Sequence, residues 1–100
     1  MKTEIQQQGD TVTAILEGRL DTAAAPQTEK ELNPLYDLNG QNIVFDCSKL
    51  EYISSSGLRI FLAILKNAKP KGSHVYIRGL NDDLRQVFAM TGFTNLFEFK

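Results

Sequence analysis

What most constrains this chain is a junction in its middle, where an apolar run passes through a serine-rich turn into a second apolar run. Asn42-Ile43-Val44-Phe45 is short and mostly apolar, which suits a strand buried on both faces. Downstream, Leu58, Phe61, Leu62 and Leu65 fall at i, i+3, i+4 and i+7, one stripe at helical period. Ile60, Ala63 and Ile64 fill the gaps, so this helix, expected from about Ser56 to Asn67, packs on more than one side. Between the runs stand Ser54-Ser55-Ser56-Gly57. A serine ahead of a helix is ordinarily an N-cap, because its hydroxyl accepts from the free amides of the first turn. One cap needs one serine, and three serines with a glycine exceed that need. The unpaired amides and the helix dipole also make this end favourable for negative charge. The sequence therefore presents a serine hydroxyl beside a glycine at the mouth of a buried helix.

The flanking segments supply the layers that such a junction requires. Thr3 to Gln8 and Thr11 to Glu17, separated by the turn Gly9-Asp10, read as a hairpin, with Val12, Ala14 and Leu16 on one face of its second strand. Gly18-Arg19-Leu20-Asp21-Thr22 leads into a helix capped by Asp21 or Thr22, with Pro26 early, where proline is tolerated. That helix runs through Glu29, Lys30 and Leu32 until Pro34 ends or kinks it, and Leu35 and Tyr36 form a short irregular cap. Asn39-Gly40 turns the chain into the central strand, and Lys66, Lys69, Pro70 and Gly72 close the helix that follows. His74 to Arg78 is a strand, Asn81 caps a third helix carrying Leu84, Val87 and Phe88, and Leu96 to Phe99 is a short edge strand. Strands alternating with helices after an opening hairpin predict an α/β fold, a mixed sheet of about five strands with helices packed against it. Residues 1–100 are expected to form one domain, since this length carries one core and not two.

Several function classes are set aside by the residues. The formal net charge is −1 and the lysines and arginines are scattered, so no basic face invites nucleic acid. No apolar run reaches the length of a membrane span, and Met1 to Gln8 lacks the apolar stretch of a signal peptide. The single Cys47 permits no internal disulfide, which fits a reducing cytoplasm. One cysteine and one histidine cannot form a zinc site, and Asp21 with Asp46 is too sparse for a calcium loop, so neither metal nor cofactor is expected. A serine hydrolase needs a base beside its nucleophile, yet the only histidine, His74, opens a distant strand. The Gly-x-Ser-x-Gly elbow is also missing, because Ile53 stands two before Ser55 and Ser54 two before Ser56. These absences leave a binding module with a modifiable serine rather than an enzyme.

Asp46-Cys47-Ser48 followed by Ser54-Ser55-Ser56-Gly57-Leu58-Arg59 resembles the signature of the STAS domain, in particular that of the bacterial anti-sigma factor antagonists. Glu17-Gly18-Arg19-Leu20-Asp21 resembles the family's turn after its second strand. Leu80, Val87 to Phe93 and Leu96-Phe97 resemble its closing helix and last strand. The likeness covers almost the whole chain, in order and at family spacing, and it implies the same mixed α/β architecture.

It also implies a function, the release of a sigma factor by partner switching. The antagonist binds an anti-sigma factor that is itself a serine kinase. Phosphorylation of the serine directly before the glycine, Ser56 here, ends that binding, and a serine phosphatase restores it. Asp21, Ser55, Ser56, Gly57, Leu58 and Arg59 are then the expected partner-binding residues, with Gly57 leaving its backbone open to close approach. Many members of the family carry an aspartate two residues before the modified serine, where this chain has Ser54. An alternative within the family is a stress-complex scaffold or an accessory subunit of a lipid transporter. Both readings place the protein in the cytoplasm without enzymatic activity.

Overall fold

The computed structural model describes all residues, Met1–Lys100. Five strands form one sheet in sequence order: β1 (Lys2–Gln8), β2 (Thr11–Leu20), β3 (Asn42–Ile53), β4 (Val75–Arg78) and β5 (Glu98–Phe99). The β1–β2 pair is antiparallel and the remaining pairs are parallel, as the opening hairpin and the later strand–helix alternation predict. Three helices connect them: α1 (Ala25–Glu31), α2 (Ser55–Ala68) and α3 (Asp82–Met90).

The architecture is two-layered. Ala14, Phe45 and Ile77 stand side by side in register across β2, β3 and β4, and all three are fully buried. They share one core with Leu32, Leu58, Phe61, Ile64, Leu65, Leu84 and Phe88 from the helical side. The Phe61 ring stacks on Phe45 at 4.2 Å and 7°. Phe61 also meets Phe88 at 6.2 Å and Phe97 at 6.5 Å, so α2 is the helix that joins sheet, third helix and chain end. The opposite face of the sheet carries Thr13, Ile15, Asp46 and Tyr76, all half-exposed. Val44 alone is buried there, outside the helix-covered core.

The first helix is shorter than its sequence pattern. Asp21 opens the Thr22–Ala24 turn that precedes α1 rather than capping the helix itself, its Oδ1 accepting from Ala24 N–H at 2.9 Å. Pro34 ends the helix as expected, and Asn33–Asp37 continue as a 3₁₀ turn that buries Leu35. The last strand is also trimmed, because Phe93–Asn95 form a 3₁₀ turn and only Glu98–Phe99 pair with β4.

The largest departure is in β3. It does not stop at Phe45, where the apolar run ends, but continues to Ile53 at the edge of the serine turn. Against β2 it skips register twice, between Ile15 and Glu17 and between Gly18 and Arg19, with one extra residue on β3 each time. Each such bulge resets which way the next side chain points. Cys47, Leu50 and Ile53 consequently all face the core, although they lie three apart rather than two. A strand's period of two was hidden by two bulges.

Candidate functional site

The parallel register of β2 and β3 builds the site. Leu20 lies opposite Ile53, so both strands end together, and Ser54 N–H donates to the Leu20 carbonyl at 2.8 Å. The chain then leaves β2 through Asp21 and β3 through Ser54 at the same end of the sheet. Loops at the carboxyl ends of parallel strands are the usual place for binding residues in α/β proteins.

The three serines divide the labour. Ser54 is the N-cap of α2: only 8 % exposed, its Oγ accepts from Gly57 N–H at 3.2 Å while its carbonyl accepts from Leu58 N–H at 3.0 Å. Ser55 is exposed and Ser56 half-exposed, and neither hydroxyl is spent on the cap. No acidic residue occupies the first turn of α2, so the positive end of the helix meets no carboxylate of its own.

Gly57 does not offer its backbone outward. It is buried, and a Cβ there would lie 2.8 Å from both Ile53 Cγ1 and Leu20 Cγ. The close approach that requires a glycine is internal, between the first turn of α2 and the ends of β2 and β3. The expectation that a partner enters over Gly57 is corrected by this contact. Leu58 is likewise buried, 6 % exposed, within the core.

A groove of about 350 Å³ opens beside these residues, lined by Thr22, Ala25, Pro26, Glu29, Ser56, Arg59 and Ile60. Of the six expected residues, Ser56 and Arg59 line it directly. Ser55 flanks it in the exposed first turn, and Asp21 precedes its wall with its carboxylate engaged in the turn. Thr22 from the turn before α1, and Pro26 and Glu29 from α1 itself, were not singled out from the sequence as site residues. Their signal was the parallel pairing itself, since two strands ending together bring the starts of both following helices into contact.

Other titratable groups lie elsewhere. His74, the only imidazole, sits at the amino end of β4 beside Asn42 at the start of β3, the far end of that strand from Ser56. Its Nδ1 is 2.6 Å from Glu98 Oε2, so it ties the last strand and cannot serve Ser56 as a base. Asp46 is partly buried, which alone would raise its carboxyl. The hydrogen bonds from Ser48 Oγ and N–H and from the Arg78 guanidinium at 3.1 Å outweigh that and hold it below the usual carboxylate range. Burial, with Asp46 adjacent, pushes the Cys47 thiol up to about 12, which makes it inert. A larger hollow of about 490 Å³ lies between β4, α3 and the last residues, walled by Ile77, Leu80, Phe88 and Phe99. It holds none of the expected site residues. No helix is long and apolar enough to cross a membrane.

A mixed sheet covered on one face carries a capped serine turn beside a groove at the carboxyl end of its parallel strands, and that arrangement defines a small α/β module. The chain belongs to the STAS domain family, whose model matches residues 2–100. It is 32 % identical over 97 residues to BtrV of Bordetella bronchiseptica, which is named as an anti-sigma factor antagonist, spanning 97 % of this chain and 84 % of that protein. It is 26 % identical over 91 residues to the anti-sigma-B factor antagonist of Listeria monocytogenes, covering 91 % of this chain and 80 % of the relative. The fold is shared with an anti-sigma factor antagonist structure from Thermotoga maritima at a TM-score of 0.87 and 19 % identity, over 97 % of this chain and 84 % of the other. It is also shared with the Bacillus antagonist SpoIIAA in its phosphorylated form, at a TM-score of 0.74 and 19 % identity, over 99 % and 91 % of the two chains.

Proposed function

We propose that this protein is an anti-sigma factor antagonist that works by partner switching. Its unmodified form binds an anti-sigma factor, a serine kinase that uses ATP, and so frees the sigma factor. The kinase phosphorylates Ser56 and the contact ends; a serine phosphatase acting on the modified form restores it. The protein is ligand and substrate rather than enzyme, and it acts in the cytoplasm. Ser55, Ser56 and Arg59 meet the partner directly, with Asp21 ordering the adjoining turn and Gly57 and Leu58 fixing the start of α2 from within.

One observation carries the reading: Ser56 is a half-exposed hydroxyl, free of the capping bond, in a groove between two helix starts. The names of the relatives support it, as does the phosphorylated form in which SpoIIAA exists. The physics favours a switch over unfolding. A phosphate adds about −1.5 to −2 charges. Near the N-terminus of α2 that charge is locally favourable by roughly 0.3–1 kcal/mol when exposed. The partner, however, must accommodate a hydrated dianion in a fitted surface, and an unpaired buried charge costs several kcal/mol. Mass spectrometry of the protein after incubation with its kinase and ATP tests the site. Phosphate on Ser56 is expected; phosphate on Ser54 or Ser55 moves the site, and none on any of the three removes the switch. Recovery of an ATPase-fold kinase in a pull-down, rather than transporter subunits, tests the partner.

A further inference from the structure

Arg59 is the groove's only cation, and the structure leaves it unengaged. The two ion pairs are His74–Glu98 and Arg78–Asp46, and no carboxylate lies within 4.0 Å of the Arg59 guanidinium. Residues three apart on a helix are neighbours, with about 5–6 Å between their Cβ atoms. Side chains on a helix also lean back over the turn on their N-terminal side. Arg59 therefore leans over the turn that contains Ser56, and both line the same groove. Ser55 does not line it. Across the groove stands Glu29 of α1, the one acidic group facing it.

We infer that Arg59 closes on the phosphate once Ser56 is modified, so that modification both adds a dianion to the groove and withdraws its only cation from the partner. This deepens the function proposed above and rests on Ser56 being the modified residue. The guanidinium fork suits a phosphate better than the single serine hydroxyl it flanks in the unmodified state, because two parallel N–H donors meet two phosphate oxygens. Glu29 opposes the phosphate from the facing helix, and Arg59 offsets that opposition alongside the amino end of α2. The switch then carries two losses for a partner with an acidic contact: repulsion from the phosphate and the loss of Arg59.

The test is a ³¹P NMR titration of the full chain with phosphoserine installed at position 56 during synthesis. No kinase is involved, so its outcome is independent of whether a kinase acts on Ser56 in the cell. The second ionisation of phosphoserine, near 6 in a free chain, is expected about 0.3 pH units higher in Arg59→Gln than in the parent, the size of an exposed helical charge pair. Glu29→Gln is expected to move it the other way, and Arg85→Gln on α3 to leave it in place. Equal values for the parent and Arg59→Gln overturn the clamp. So does an equal rise in Arg85→Gln, which reports net charge rather than contact.

Discussion

Alanine at position 57 is the substitution whose sign separates this packing from an ordinary helix start. In a helix, glycine to alanine stabilises by up to about 1 kcal/mol, because the unfolded chain loses less freedom on ordering. At Gly57 the new methyl would stand 2.8 Å from Ile53 Cγ1 and from Leu20 Cγ, and 3.0 Å from Leu20 Cδ2. Ordinary contact between carbons begins near 3.5 Å. Leu20 is wholly buried and Ile53 is 3 % exposed, so neither has space to retreat into. The helix start would have to move outward, stretching the Ser54–Gly57 cap and the Ser54–Leu20 backbone bond. Overpacking of this kind costs about 1–3 kcal/mol. Set against a helical gain of up to about 1 kcal/mol, the balance spans about 0–3 kcal/mol of loss, and with both neighbours buried a net loss above about 1 kcal/mol is expected, read as a lower midpoint at unchanged slope in a urea titration. A variant as stable as the parent, or more so, would refute the claim that Gly57 is held by internal contact.

Phe61→Ala removes the ring that stacks on Phe45 in a fully buried site and is expected to cost about 3–5 kcal/mol by denaturant titration. Ser54→Ala removes the cap of α2 and should cost about 1 kcal/mol, whereas Ser54→Asp restores an acceptor and should recover most of it. Asp46 has a carboxyl held below its unfolded value, so it contributes stability above the unfolded pKa and loses it as pH falls through the folded one. A melting-temperature series should therefore decline more steeply in the parent than in Asp46→Asn below about pH 4, the reference range of aspartate.

Much of this arrangement was legible in the sequence, and the misses have physical causes. Period-three and period-four spacing from Leu58 to Leu65 marked α2, and the strand–helix alternation marked a parallel sheet with an opening hairpin. The length of β3 was not legible, because two bulges put Cys47, Leu50 and Ile53 at spacing three. The serine run was readable as a capped helix start, but not which serine caps, since Ser54, Ser55 and Ser56 are chemically alike and only the backbone path selects among them. Gly57 was misjudged because a sequence shows that a side chain is missing, not which neighbour fills the gap. The α1 wall of the groove depends on register between β2 and β3, a long-range relation that no local pattern encodes.

The central claim is that a phosphate on Ser56 abolishes a contact made through the α1–α2 groove without disturbing the fold. Calorimetric titration of the anti-sigma kinase with the unmodified chain and with the chain carrying phosphoserine at 56 tests it directly. Desolvating the phosphate at the interface costs several kcal/mol even with Arg59 against it, and each 1.4 kcal/mol is tenfold. The modified chain is therefore expected to bind at least about a hundredfold more weakly while its circular dichroism is unchanged. Equal affinity for the two forms would contradict the account, and so would a weakened affinity accompanied by loss of the native spectrum.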